Sequence, residues 1–392
     1  MRKQIRLLMR FFKLAIAEWF PFRKKPFVIQ MPITSRCNSR CVTCNVWRHR
    51  ERIDIDDNAL KKALEDPFFS EVKAVGLNGG EFSLVPRFKE ILDSLTSLPK
   101  LANVYFISNG IAGQRILEYM RFAKEFFSEK GIHVSLCVSI DGYGKTHDKV
   151  RGIDGNFVRS KQLIEELSKN QSQYCDQLSL GYTLSRYNID RVFELDSLLS
   201  WFNVPIDIHL AVPNKRIGTY SDADRYSVLA DEGARQLAAE FFFSLFLKTQ
   251  DYRMKSRYFS NYYYLSHLGK GRLSDCQYRF RDITIDENLN MSLCATASEA
   301  IGNLKCMSAS DIIKNSKTNK EAHRLLRKCC NYCIHYSYYP LTIKGRFLFA
   351  FAVEREQNSM NTYKSFCKKR TPIVSRLISL KRVIKTALRN DY

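Results

Sequence analysis

The chain has 392 residues, room for two or three domains, and its 45% hydrophobic and 26% charged content is that of an ordinary globular protein, which excludes wholesale disorder. The net charge is +22, but fifteen of the excess charges lie in Met1–Pro26 and Lys364–Tyr392, which fits an anionic membrane surface or partner better than a nucleic-acid groove through the body. The longest uncharged run, Cys329–Ile343, is only 15 residues and partly polar, and the basic start lacks an export-type cleavage site, so a cytoplasmic protein without a membrane span is expected.

In residues 1–26, Arg2, Arg6, Arg10 and Lys13 recur at helical spacing opposite Ile5, Leu8, Phe12, Ile16 and Trp19. This predicts a basic amphipathic helix, either an interfacial anchor or a helix packed on the body with its charged face in water. Twenty-six residues are also too few for a winged leader-binding module, which weighs against a ribosomal-peptide substrate. Residues 27–215 alternate short apolar runs with amphipathic stretches. The strands are expected at Phe27–Ile33, Lys73–Leu77, Asn103–Ile107, His133–Ile140, Leu178–Leu184 and Pro205–Ala211, with helices such as Arg87–Leu98, Arg115–Lys130 and Phe157–Lys169 between them. Six such units predict an α/β fold, a partial (β/α)6 TIM-like barrel on a parallel sheet, with functional loops at the C-terminal strand ends.

Within a helical linker at 216–272, Asp222–Thr249 reads as one helix with Leu229, Leu237, Phe241 and Leu245 on a buried face. Residues 273–340 form a small α+β cysteine-rich domain that opens with a hairpin, Asp282–Asp286 and Met291–Cys294 about the turn Glu287–Asn290. A basic tail, 341–392, closes the chain; in Arg376–Arg389, Leu377, Leu380 and Ile384 oppose Lys381, Arg382 and Lys385.

Twelve cysteines in a reducing compartment point to metal ligands or buried thiols rather than disulfides. After the first strand, Cys37, Cys41 and Cys44 have the spacing C-x3-C-x2-C. Three thiolates so close can hold three irons of a cubane cluster and leave the fourth open. An incomplete zinc site and unligated thiols are the alternatives. Later strands end in Asn78-Gly79-Gly80-Glu81, in Ser108-Asn109-Gly110, and in Ser139-Ile140-Asp141-Gly142 followed by His147-Asp148-x-x-Arg151-Gly152, so polar groups gather at one mouth. Cys276, Cys294, Cys330 and Cys333 give a second set, C-x17-C and C-x2-C, suited to a fully ligated auxiliary [4Fe–4S] cluster or to structural zinc; Cys329 could replace Cys330.

Taken in order, these motifs resemble those of radical S-adenosylmethionine (SAM) enzymes over residues 27–212, most like the sulfatase-maturase and peptide-modifying branch. The second cysteine region resembles the SPASM or twitch domains that follow such cores, the shorter twitch type better, because the next cysteine after Cys333 is Cys367. The resemblance implies a [4Fe–4S] cluster on Cys37, Cys41 and Cys44, with SAM chelating the open iron. Gly80 and Glu81 match the site for its amino group; Ser139 and Arg151 match cofactor-holding positions, Arg151 for the carboxylate. Asn109 matches more loosely near the ribose, and Thr43 stands where an aromatic residue usually flanks the adenine. One electron from the cluster would cleave SAM, and the resulting 5′-deoxyadenosyl radical would take hydrogen from a C–H bond. A flavodoxin or ferredoxin would supply that electron.

The function expected is oxidoreductase-type radical SAM chemistry on a small polar or lipid-linked molecule, a carbohydrate among the candidates, with the auxiliary cluster as electron relay; the twitch-like spacing resembles that of an aminocyclitol dehydrogenase of the superfamily. A peptide or protein modifier is the alternative enzyme, and a non-catalytic metal-binding or membrane-adaptor protein the alternative of another class. No RNA-binding motif is present, so nucleic acid is not expected as partner. No acid, base or radical-quenching residue is assigned; Tyr182, His209 and Tyr220 lie in plausible regions.

Overall fold

The computed structural model describes residues 24–49, 51–335 and 341–365. The two basic helices expected near the termini lie outside the described residues. Two compact units are present. One comprises Arg23–Leu237 and Gln277–Cys330; the other, over its described residues, comprises Ala238–Cys276 and the segment from Asn331 onward.

The larger unit is built on nine strands. The first six are β1 (Val28–Thr34), β2 (Ala74–Gly79), β3 (Asn103–Ser108), β4 (His133–Ser139), β5 (Gln177–Leu184) and β6 (Ile206–Leu210). They pair in chain order and in parallel, as expected for a partial (β/α)6 barrel. The period-2 alternation of each strand decides its two faces. Ile29, Met31, Val75, Leu77, Val104, Phe106, Leu136, Val138, Leu180 and Tyr182 are buried on one face. The other face carries Gln30, Asn78, Tyr105, Ser135, Cys137, Ser179, Thr183, Asp207 and His209, all half-buried. That polar face forms the inside of the barrel. Tyr182 is thus on the apolar face, whereas His209 is on the polar one, 3.6 Å from Asp207.

The hairpin expected at Asp282–Cys294 is present as β7 (Ile283–Ile285) and β8 (Asn290–Ser292), followed by β9 (Ala300–Asn303). It does not stand apart from the barrel. β7 pairs in parallel with β1, Ile29 opposite Ile283 and Gln30 opposite Thr284, so the cysteine-bearing hairpin extends the barrel sheet. The junction is fixed by Asp282, whose Oδ1 accepts from the N–H groups of Phe27 and Val28 at 3.3 and 3.2 Å.

The single helix expected over Asp222–Thr249 is broken. A four-residue turn, Ala223–Tyr226, and a 3-10 turn, Val228–Ala230, precede a helix that begins at Glu232 and ends at Lys248. Ser227 leaves the helical region at ψ 131° and its hydroxyl accepts from Leu229 N–H. Asp231 then takes the N–H of Ala234 at 2.7 Å, restarting the helix with a side-chain cap.

In the smaller unit, aromatic rings from three helices form the core. Phe246, Phe259 of Tyr252–Ser266 and Phe349 of Ile343–Ser365 lie with centroids 5.5 to 6.3 Å apart. Lys255 is buried beside them and pairs with Glu356 at 2.8 Å. Among the described residues, no helix is long and apolar enough to cross a membrane.

Candidate active site

The loop after β1 is held on three sides by backbone bonds. Gly80 N–H donates to Thr34 O at 2.8 Å and Glu81 N–H to Arg36 O at 2.7 Å, which presses the loop onto the end of β2. From the β4 side, Arg40 N–H reaches Arg151 O at 3.0 Å and Val42 N–H reaches Val150 O at 2.9 Å. Asn45 N–H donates to Ile217 O at 3.1 Å on the loop after β6. Two glycines make this closeness possible. A Cβ on Gly80 would lie 1.8 Å from the Arg36 carbonyl oxygen, and one on Gly152, at φ +66°, would lie 2.3 Å from that of Arg40.

Donors face the sulfurs of that loop. Cys37 Sγ accepts from Ser39 N–H at 3.4 Å and from Asn109 Nδ2 at 3.8 Å. Cys41 Sγ lies 3.1 Å from Ser39 Oγ and 3.7 Å from Arg151 Nη1. Burial, together with the neighbouring thiols, pushes Cys37 up to about 12 and Cys44 up to about 11. As thiolates, these groups need positive charge beside them. Among the described residues, no three His, Cys, Asp or Glu side chains close on a single ion; a cubane instead gives each thiolate its own iron. Three adjacent thiols with donors aimed at sulfur and mutual repulsion to neutralise fit that group.

Glu81 is 1% exposed at the centre of this mouth. Its Oε1 accepts from Ser83 Oγ and Ser108 Oγ, both at 3.0 Å, and its Oε2 from Asn109 N–H at 2.7 Å. Burial raises its pKa and those hydrogen bonds oppose the rise. Glu81 therefore braces the ends of β2 and β3 against each other. Asn109 lies against the cysteine loop: its Nδ2 also donates to Asn38 Oδ1 at 2.8 Å, and its Oδ1 accepts from Ile111 N–H at 3.0 Å.

Arg151 is already engaged. Its Nε is 2.7 Å from Asp141 Oδ2, and the side chains are 11% and 2% exposed. That contact is a buried ion pair. Asp141 in turn accepts from Thr183 N–H at 2.7 Å, and its own N–H donates to His147 Nδ1 at 3.0 Å. His147, buried beside Arg151, is held neutral by its burial and by that cation. The chain Thr183–Asp141–Arg151–Cys41 thus runs from β5 to the first cysteine loop. The sequence motif contains Asp141 but assigns it no role; acceptor geometry of this kind has no spacing signature. Ser139 lies at the end of β4 opposite Gly181, and Thr43 is half-buried in the cysteine loop.

The second cysteine set divides between the units. In the larger one, Cys294 Sγ accepts from Ala297 N–H at 3.4 Å and lines a cavity of about 170 Å³ with Arg216, Thr284 and Thr296. Burial of Cys44 is partly offset by the charge of Arg216. Cys329 Sγ accepts from Arg324 Nη1 at 3.6 Å, and that guanidinium is held by Glu321 at 2.7 Å. Cys330 closes this unit, and Cys276 and Cys333 belong to the other.

Comparison with known proteins places these features in context. The family model described as the Radical SAM superfamily matches residues 31–195. The sporulation killing factor maturation protein SkfB of Bacillus subtilis (strain 168) is 28% identical over 173 residues, 43% of this chain and 38% of that protein. The AdoMet-dependent heme synthase of Methanosarcina barkeri (strain Fusaro / DSM 804) is 30% identical over 207 residues, 50% of this chain and 54% of that protein. The chain thus spans about half or less of the length of either relative. The structure of polyhistidine-tagged anSMEcpe with bound AdoMet aligns with a TM-score of 0.56 at 14% identity, over 91% of this chain and 98% of that one, a shared fold. Native anSMEcpe with bound AdoMet and the Cp18Cys peptide gives a TM-score of 0.50 at 14% identity, over 86% and 99%.

Proposed function

We propose, for a chain whose residues 31–195 belong to the radical SAM superfamily, that this is an enzyme using a [4Fe–4S] cluster on Cys37, Cys41 and Cys44 with SAM to act on a C–H bond of a peptide. The observation that carries the reading is the group of three adjacent thiols, Cys37 and Cys44 raised by burial and neighbouring charge, faced by Ser39, Asn109 and Arg151. When bound, the cluster and SAM supply the reductive cleavage that makes an unactivated C–H bond reactive.

The protein's part is placement. Asp141 holds Arg151 beside Cys41, leaving one guanidinium nitrogen for the SAM carboxylate, while Gly80 lets the backbone approach the amino group. Glu81 Oε2, with one acceptance used, is the carboxylate assigned to that ammonium. Ser139 completes the cofactor side; Asn109 and Thr43 are assigned to the nucleoside. Cys276, Cys294, Cys330 and Cys333 are assigned to one auxiliary cluster as electron relay. A small flavin or iron–sulfur electron donor, such as a flavodoxin or ferredoxin, is the partner proposed, with an anionic membrane surface a second.

The peptide assignment is supported by the maturation protein and by the peptide-bound anSMEcpe structure. A second reading, a small polar or lipid-linked substrate, is supported by the polar inner face with Ser135, Asp207 and His209. Anaerobic reconstitution followed by dithionite and SAM tests the core of the proposal, with 5′-deoxyadenosine expected from wild type and none from the Cys37→Ala/Cys41→Ala/Cys44→Ala variant. Absence of the product from wild type would favour an adaptor. Deuterated extract from cells that make the chain separates the substrates: deuterium transfer into 5′-deoxyadenosine that protease digestion abolishes supports a peptide, and transfer that survives digestion supports the small molecule.

A further inference from the structure

Cys276 and Cys333 both lie in the smaller unit, and one side chain joins the segments that carry them. Arg272 Nε donates to Ser274 O at 2.6 Å and Nη2 to Asp275 O at 3.2 Å. Its Nη1 donates to Cys333 O at 2.8 Å. The two carbonyls immediately before Cys276 and the carbonyl of Cys333 itself therefore converge on one guanidinium. A planar fork with five N–H groups can serve three acceptors in different directions; a single ammonium cannot span them.

Further bonds set the same backbone. Asp275 Oδ1 accepts the N–H of Cys276 at 2.7 Å. Leu273 O accepts from Thr342 N–H at 2.7 Å and from its hydroxyl at 3.0 Å, and Ser274 forms an antiparallel bridge with Leu341. On the other side, the hydroxyl of Tyr264, 3% exposed, donates to Tyr332 O at 2.7 Å, one residue before Cys333. Cys333 Sγ accepts from His335 N–H at 3.4 Å, the kind of amide-to-sulfur bond that orients a ligating thiolate.

The geometry points to Arg272 as a positioning residue for the auxiliary cluster, presetting the Cys276 and Cys333 backbones with Tyr264 as its second brace. This rests on the auxiliary-cluster assignment above. Arg272 touches no reacting atom; it acts by keeping two of the four ligands in one arrangement before metal arrives.

The test uses the full-length chain, reconstituted anaerobically as wild type, Arg272→Lys and Tyr264→Phe, with iron counted and the clusters separated by EPR. Wild type is expected to hold about eight irons per chain, and R272K about four, with the SAM-responsive signal unchanged. From Y264F, a chelator should strip the non-responsive cluster roughly 10-fold faster or more, the size of effect seen when outer-shell partners of metal ligands are removed. A general loss of fold would diminish both signals, so selective loss marks a positioning role. R272K with eight irons and a wild-type release rate overturns the proposal and leaves the auxiliary cluster standing. Wild type with about four irons overturns the auxiliary cluster, and Arg272's role with it. If R272K yields no folded protein, an unchanged release rate in Y264F overturns the proposal.

Discussion

Asp141 and Arg151 are buried together, and that sets the cost of separating them. Asp141→Asn keeps an oxygen for the Thr183 N–H but leaves the guanidinium, 11% exposed, without its counter-charge. Removing one partner of a buried pair costs about 3–5 kcal/mol, so the denaturation midpoint of D141N should fall well below that of wild type, and its first-cluster iron should fall too. A midpoint within error of wild type would show that water already solvates Arg151. The thiols give a pH dependence with a definite sign. In the metal-free chain, Cys37 and Cys44 keep their protons to about 12 and about 11, against 9.0 for an ordinary cysteine. Above pH 9 the unfolded chain has released protons that the folded chain still binds, so stability falls as pH rises from about 9 toward 12. Melting temperatures of metal-free wild type should decline more steeply over this window than those of Cys37→Ala/Cys44→Ala; equal slopes would contradict the burial of these thiols.

The first cysteine loop depends on how closely its neighbours approach. Gly152→Ala puts a Cβ 2.3 Å from Arg40 O on a backbone already at φ +66°, and Gly80→Ala puts one 1.8 Å from Arg36 O. The obstruction in each case is backbone, which cannot swing aside as a side chain can. Both variants should keep their strand content by circular dichroism and lose more than half of the first-cluster iron on reconstitution; full iron in either would mean that the loop is freer than these contacts indicate. Such elements were largely legible in the sequence. The six parallel strands follow from alternation, because each strand has one predominantly apolar face, and the cysteine loop follows from spacing. The break at Ser227–Asp231 was not, because the apolar pattern continues across it while the caps that restart the helix are single side-chain bonds. Nor was the engagement of Arg151, since a motif fixes the residue type without saying that Asp141, ten positions earlier, holds the side chain.

At the scale of the molecule, the pairing that sequence could least disclose is that of β1 with β7, more than 250 residues apart. Local alternation predicts the hairpin but not the strand it joins. With that pairing, β1 is an interior strand between β2 and β7, and the second cysteine segment is continuous with the barrel sheet. A chain ending at Leu237 would keep all six barrel strands and lose Ile283, Ile285, Met291 and Leu293, each fully buried. It would also leave Ile29 and Gln30 without their β7 partners, an unpaired edge beside newly exposed apolar surface. That truncation should aggregate on gel filtration under conditions where the full chain does not. Asp282→Ala removes the acceptor for Phe27 and Val28 N–H, together with the partner of Arg281 Nε at 3.1 Å, and leaves the rest of the hairpin in place. Two N–H groups losing a shared buried acceptor cost about 1–3 kcal/mol each, so D282A should lower the free energy of unfolding by at least that much and speed proteolysis at Glu287–Asn290. If D282A melts as wild type and the truncated chain runs as a folded monomer, the hairpin is an appendage and the barrel stands without it.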